Sequence, residues 1–267
     1  MKNNRYKILV LSDLKDSTNS ILKSSVSLAK MINGDVAFFH VKKATDVVEN
    51  DSQLSAIRTI NKLHTKTRSQ IQYLIDAISK DYDIKISNNH AFGNVKNEIT
   101  DYLQVNKPDI VVIGKRKSHP FNFTGDNITD FIIKNHDGEI MIASDENTFE
   151  PNKVFSLGLL NNIEKSINIE FAESLISHST KPLKSFKIGK QPNVLNESEK
   201  SIENKTVEYV FEQTDNAINN LFKYLSKNNV DLLCLNRENE KNYMNTTKID
   251  INQIINKMNI SLLIARN

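Results

Sequence analysis

The feature that most constrains this chain is an alternation of short apolar runs with amphipathic stretches that runs through once and then starts again. "YKILVLSD" opens it with a near-continuous apolar run, the pattern of a parallel strand covered on both faces. Ile21, Leu22, Ser25, Leu28, Ala29 and Ile32 follow at helical spacing, with Asp16 or Ser17 as the cap and Gly34 as the stop. The spacing predicts further strands in "DVAFFHVKK", "DIKISNNH", "DIVVIG" and "EIMIAS". It predicts helices over about 51–80, in "NVKNEITDYLQVNK", and on Ile128, Phe131, Ile132 and Ile133, with Gly93 as a turn. Such an alternation from Lys7 to Ser144 implies a parallel sheet with helices on both faces, joined by right-handed crossovers.

The series restarts at Asn152. "NKVFSLGLL" is similar to "RYKILVLSDL", and a helix through Ile163, Ile167, Phe171, Leu175 and Ile176 follows it. Then come strands "PLKSFKIG" and "TVEYVF", helix "DNAINNLFKYLSKNN", strand "VDLLCLN", helix "IDINQIINKMN" and strand "ISLLIA". Several elements repeating in one order mark an internal repeat. Its two units span 1–147 and 152–267, joined by a linker "DENTFEP". The second unit is reduced: polar "GKQPNVLNESEKSIENK", read as a loop, stands where the first has its long helix. A length of 267 residues suits two domains of ordinary size.

Charge and cysteine content narrow the function classes. The net charge of +3 is small and interspersed, so nothing indicates a nucleic-acid partner. The single cysteine, Cys234, excludes an intrachain disulfide and a thiolate zinc cluster, and suits a reducing, cytoplasmic setting. The apolar run near the N-terminus ends at Leu11, too short for a signal-peptide core. No segment approaches the ~20 apolar residues of a membrane helix, so no membrane partner is expected.

In a doubly wound sheet, ligands sit beyond the carboxyl ends of the strands, where strand order reverses. The first and fourth strands end at Asp13 and Gly114, and the second at His40 and Val41. The basic loop "GKRKSHPFNFTGDN" begins at that point.

Taken in order, "YKILVLSDLKDSTNSILKSSVSLAK", "AFFHVKK" and "GNVKNEITDYLQVNKPDIVVIG" resemble the universal stress protein family, and the whole chain resembles two tandem copies of its domain. The resemblance implies two five-stranded parallel, doubly wound α/β domains of the adenine nucleotide alpha hydrolase-like type, in strand order 3-2-1-4-5. It also implies an intrachain pseudo-dimer in contact through the fifth strands "EIMIAS" and "ISLLIA", and a homodimer of whole chains. In the family's ATP-binding branch, the loop after the fourth strand reads Gly-x2-Gly-x9-Gly-Ser/Thr. An Asp after the first strand and a Val after the second line the adenosine.

Carried over, Asp13, Val41 and Gly114 match, and Gly125 stands for the last glycine. Lys115, Arg116 and Asn127 complete the candidate nucleotide site, with ATP or another adenine nucleotide as the cofactor. Lys117 replaces the second glycine, Pro120 removes an amide donor, and Asp126 puts a carboxylate where a hydroxyl would donate. Three readings stay open: a diverged loop in a non-enzymatic stress-response protein that acts by binding or regulation, an adenine-nucleotide sensor using the first unit only, and an unrelated α/β enzyme using the same switch point, which would need a pocket of converging titratable groups. In the second unit Leu159 and Asn236 stand for Asp13 and Gly114, and "RENEKNYMNTTKID" has no glycine.

Nothing else in the sequence carries chemistry. The six histidines show no metal spacing, and His40 reads as a hydrogen-bonded structural residue. Cys234 reads as a core hydrophobe. No catalytic or metal-binding motif appears.

Overall fold

A computed structural model describes residues 5–43, 53–115, 127–161, 169–189, 206–212, 214, 216–237 and 251–266. The first half runs β1 (Lys7–Leu11), α1 (Thr18–Ile32), β2 (Asp35–Lys43), α2 (Gln53–Tyr82), β3 (Ile86–Gly93), α3 (Val95–Asn106), β4 (Ile110–Gly114), α4 (Ile128–Asn135) and β5 (Glu139–Ala143). The second runs β6 (Leu157–Leu160), α5 (Ile169–His178), β7 (Leu183–Gly189), β8 (Thr206–Glu212), α6 (Ala217–Lys227), β9 (Leu232–Asn236), α7 (Ile251–Lys257) and β10 (Ser261–Ala265).

All ten strands form one sheet, β3-β2-β1-β4-β5-β10-β9-β6-β7-β8. The first half has the expected order 3-2-1-4-5, and the second repeats it with its own five strands. Pairing is parallel within each half, while β5 and β10 run antiparallel, with Met141 facing Leu263. Residues 190–205 join β7 to β8, a shorter span than the 44–85 that joins β2 to β3, and they lie outside the described residues.

The strands are apolar at consecutive positions because both faces are covered. Ile8, Val10 and Phe38 pack under α1 and α2, while Leu9, Leu11 and Phe39 pack on the opposite side. In α2 the buried stripe is Ile71, Ile75 and Ile78, in the C-terminal part of the helix.

Three local expectations are corrected. Gly34 is not the left-handed stop of α1. Asn33 takes that role with φ 54°, its N–H donating to the Ala29 carbonyl. Gly34 is small for a different reason: a Cβ there would lie 2.8 Å from Ile8 Cδ1. Ser17 sits at the N-cap but makes no side-chain capping bond, and the Thr18 hydroxyl instead donates to the Lys15 carbonyl at 2.7 Å. Gly93 ends β3 instead of turning the chain, and Asn94 caps α3, accepting from the amides of Lys96 and Asn97 at 3.1 and 3.2 Å.

The segment joining the halves is anchored in the core. Phe149 is 2% exposed and meets Phe155 edge-on at 4.8 Å between ring centroids. Its amide donates to the Ser24 hydroxyl of α1 at 3.2 Å.

Candidate functional site

The carboxyl ends of β1, β2 and β4 open into a cleft of about 850 Å³. Ser12, Asp13, His40, Val41 and Gly114 line it, with Thr67 and Gln70 of α2 and Thr129 of α4. β1 pairs with both β2 and β4, so the reversal of strand order falls here.

The loop after β1 forms one wall. Asp13 accepts the Lys15 amide at 3.2 Å and faces the Lys15 ammonium at 3.6 Å, with its carboxylate about a third exposed. Leu14 holds φ 60°, uncommon for a residue with a bulky side chain. Its amide donates to the Ser12 hydroxyl at 3.2 Å, and its carbonyl accepts from Gln70 at 3.5 Å, which ties the loop to α2. His40 is buried and donates through Nδ1 to the Ser12 carbonyl at 2.8 Å, which fixes its tautomer. Burial lowers the His40 pKa and so favours the neutral ring.

Val41 lies at the carboxyl end of β2, packed against the apolar cluster. The other described candidates make structural contacts of their own. A Cβ on Gly114 would lie 2.5 Å from Ile21 Cδ1, so the glycine admits α1 against β4. The Lys115 ammonium donates to the Met258 carbonyl at 2.5 Å and to Asn259 Oδ1 at 3.3 Å, on the turn after α7. Asn127 caps α4, accepting the Asp130 amide at 3.2 Å while its own amide group donates to the Asp130 carboxylate. Arg116 and Gly125 lie outside the described residues, as do Lys117, Pro120 and Asp126.

The structure shifts the correspondence between the halves. Ile8 pairs with Ile110, four residues before Gly114. Leu157 pairs with Leu232, four residues before Asn236. Leu157 is therefore the counterpart of Ile8, and Leu159 that of Val10, not of Asp13. The true counterpart of Asp13 falls at position 162, outside the described residues. Asn236 does stand where Gly114 stands, since they face Ala265 and Ala143 in the same way.

With this geometry in place, the family can be read. The model of the universal stress protein family matches residues 5–140, just over half of the 267. The chain belongs to the universal stress protein family. A universal stress protein from Archaeoglobus fulgidus DSM 4304 covers 97% of this chain and 98% of its own, at 11% identity and a TM-score of 0.65. A functionally unknown protein from Pseudomonas aeruginosa PAO1 covers 98% and 92%, at 10% identity and a TM-score of 0.58. A universal stress protein from Lactobacillus plantarum covers 53% of this chain and 99% of its own, at 16% identity and a TM-score of 0.43. Among curated proteins no match is found. At such identities the whole-length likenesses speak to the fold alone, and they extend it through the second half of this universal stress protein.

Sequence reasoning missed one contact beside the cleft. His64 Nδ1 of α2 lies 3.2 Å from His90 Nε2 of β3, and His90 faces His40 in the sheet register. The two are 26 residues apart, on a helix and a strand, so no sequence spacing pairs them. No group of three or more His, Cys, Asp or Glu among the described residues could hold a metal ion.

Burial, the largest cause in each case, lowers the pKa of His40, His90 and His136 below their ordinary value of 6.5. The unfolded imidazoles therefore take up protons first. Stability from these groups is complete above pH 6.5 and is lost as pH falls from there through the folded values. Buried Glu139, its pKa raised from 4.5, works in the opposite sense, one group against three. Urea midpoints should fall between pH 7.5 and about 5.5, and flat midpoints would contradict this account.

Proposed function

We propose that this universal stress protein is a non-enzymatic, cytoplasmic binding or regulatory component of a stress response, its two halves acting as an intrachain pseudo-dimer. One observation carries the reading: the Lys115 ammonium, which directly follows β4, donates to carbonyls of the second half. The glycine at position 114 is likewise explained by Ile21. Among the described residues no helix is long and apolar enough to cross a membrane.

A second reading, an adenine-nucleotide sensor using the first half, is favoured by the open cleft with Asp13 and Val41 on its walls. Titration calorimetry with ATP and Mg²⁺ on nucleotide-free protein separates the two. The first reading expects no saturable heat up to roughly millimolar ATP, a free energy weaker than about −4 kcal/mol. Saturable binding that Asp13→Ala removes would establish the sensor, and hydrolysis lost in the same variant would overturn the non-enzymatic reading.

A further inference from the structure

Lys115 follows β4 directly, and Arg237 follows β9 directly. The registers make them counterparts, because Gly114 faces Ala143 as Asn236 faces Ala265. The same registers make Glu139 and Ser261 counterparts, since they face Ile110 and Leu232. Three residues back from each, His136 in the turn after α4 therefore matches Met258 in the turn after α7.

The contacts obey this correspondence. Lys115 Nζ donates to the Met258 carbonyl at 2.5 Å and to the Asn256 carbonyl at 3.4 Å. The Arg237 guanidinium donates to the His136 carbonyl and, at 2.5 Å, to the Gly138 carbonyl. Counterpart cations thus reach counterpart carbonyls, one from each half, across the β5–β10 joint. The last carbonyls of a helix have no intrahelical partner and carry the negative end of its dipole, so a cation is their natural ligand. Lys115 keeps this position although burial lowers its pKa, and Asp145 and Glu146 favour its charged form.

We propose that Lys115 and Arg237 are reciprocal clasps, each fastening the carboxyl end of one half's strand, β4 or β9, to the helix end of the other half, so that the loosening of either contact is transmitted across the joint. The clasp at Lys115 also makes the cleft rim and the turn after α7 one mechanical unit, since Lys115 lines the cleft.

Amide hydrogen exchange on the full chain tests this. In Lys115→Met the reporters are Met258 and Ser261, whose amides donate to Ile254 and Asp231 in the other half. In Arg237→Met they are His136 and Glu139, whose amides donate to Ile132 and Asp109. Each variant should speed exchange at the opposite half's reporters by at least about tenfold, with Val10, Val112 and Cys234 in the strands unchanged. Lys115→Arg should restore protection at Met258 and Ser261. Should Arg237→Met fail to fold, Arg237→Lys, which keeps a cationic donor, should speed His136 and Glu139 by a smaller factor. Reporter rates within about twofold of the parent would overturn the proposal. So would acceleration spread equally over the strands, the mark of general destabilisation.

Discussion

Phe149→Ala will destabilise the fold by about 3–5 kcal/mol, the range for removing a buried phenylalanine. Phe149 is 2% exposed in the core beneath α1 and α5, against Phe155. Its neighbours in sequence hold the backbone in place. The Ser27 hydroxyl donates to the Glu150 carbonyl at 3.2 Å, and Lys30 donates to Asn152 at 3.1 Å. The surroundings therefore have little freedom to close around an alanine, and the cavity remains. Phe149→Leu should recover most of the loss because it keeps most of the volume. Urea denaturation of the three proteins measures the difference. A loss below about 1 kcal/mol for Phe149→Ala would show the segment to be a tether and not a part of the core.

Gly138→Ala should cost about 3 kcal/mol or more, at the upper end of overpacking. No described glycine has a positive φ, so the reason is space and not backbone conformation. A Cβ at 138 would overlap the Asp109 carbonyl oxygen and lie 2.6 Å from His136 Nε2. The Asp109 backbone has no room to retreat. Its carbonyl accepts the Glu139 amide at 3.0 Å, and its carboxylate accepts the Lys7 amide at 2.7 Å. Gly114→Ala is the internal comparison. There the obstruction is the terminal methyl of Ile21, which can turn aside, so the loss should be smaller. The reverse ranking in thermal or urea unfolding would refute this account of both glycines.

The strands were legible because a parallel sheet covered on both faces needs apolar residues at consecutive positions, as "KILVL" and "IVVIG" have. Their order came from the family resemblance, not from their composition. The misreadings at Gly34, Phe149, Lys115 and Leu159 share a cause: each turned on a contact distant in the chain. Gly34 looks like a helix stop, but Ile8 from the preceding strand explains its size, and Asn33 takes the left-handed position. Phe149 stands alone among polar residues, with no periodicity to signal that it is buried. A lysine after a strand-ending glycine looks the same whether it meets a phosphate or a carbonyl 143 residues onward, as Lys115 does. Leu159 matches Val10, three residues before Asp13, and only the pairing with β9 shows where β6 begins relative to β1. Of the candidate site, Asp13, Val41 and Gly114 do converge, since topology alone places strand ends at the reversal.

The antiparallel junction of β5 with β10 has one more consequence. Strands that run parallel within each half run oppositely between halves, so their carboxyl ends emerge on opposite rims of the sheet. The first half's cleft and the corresponding end of the second therefore look away from each other.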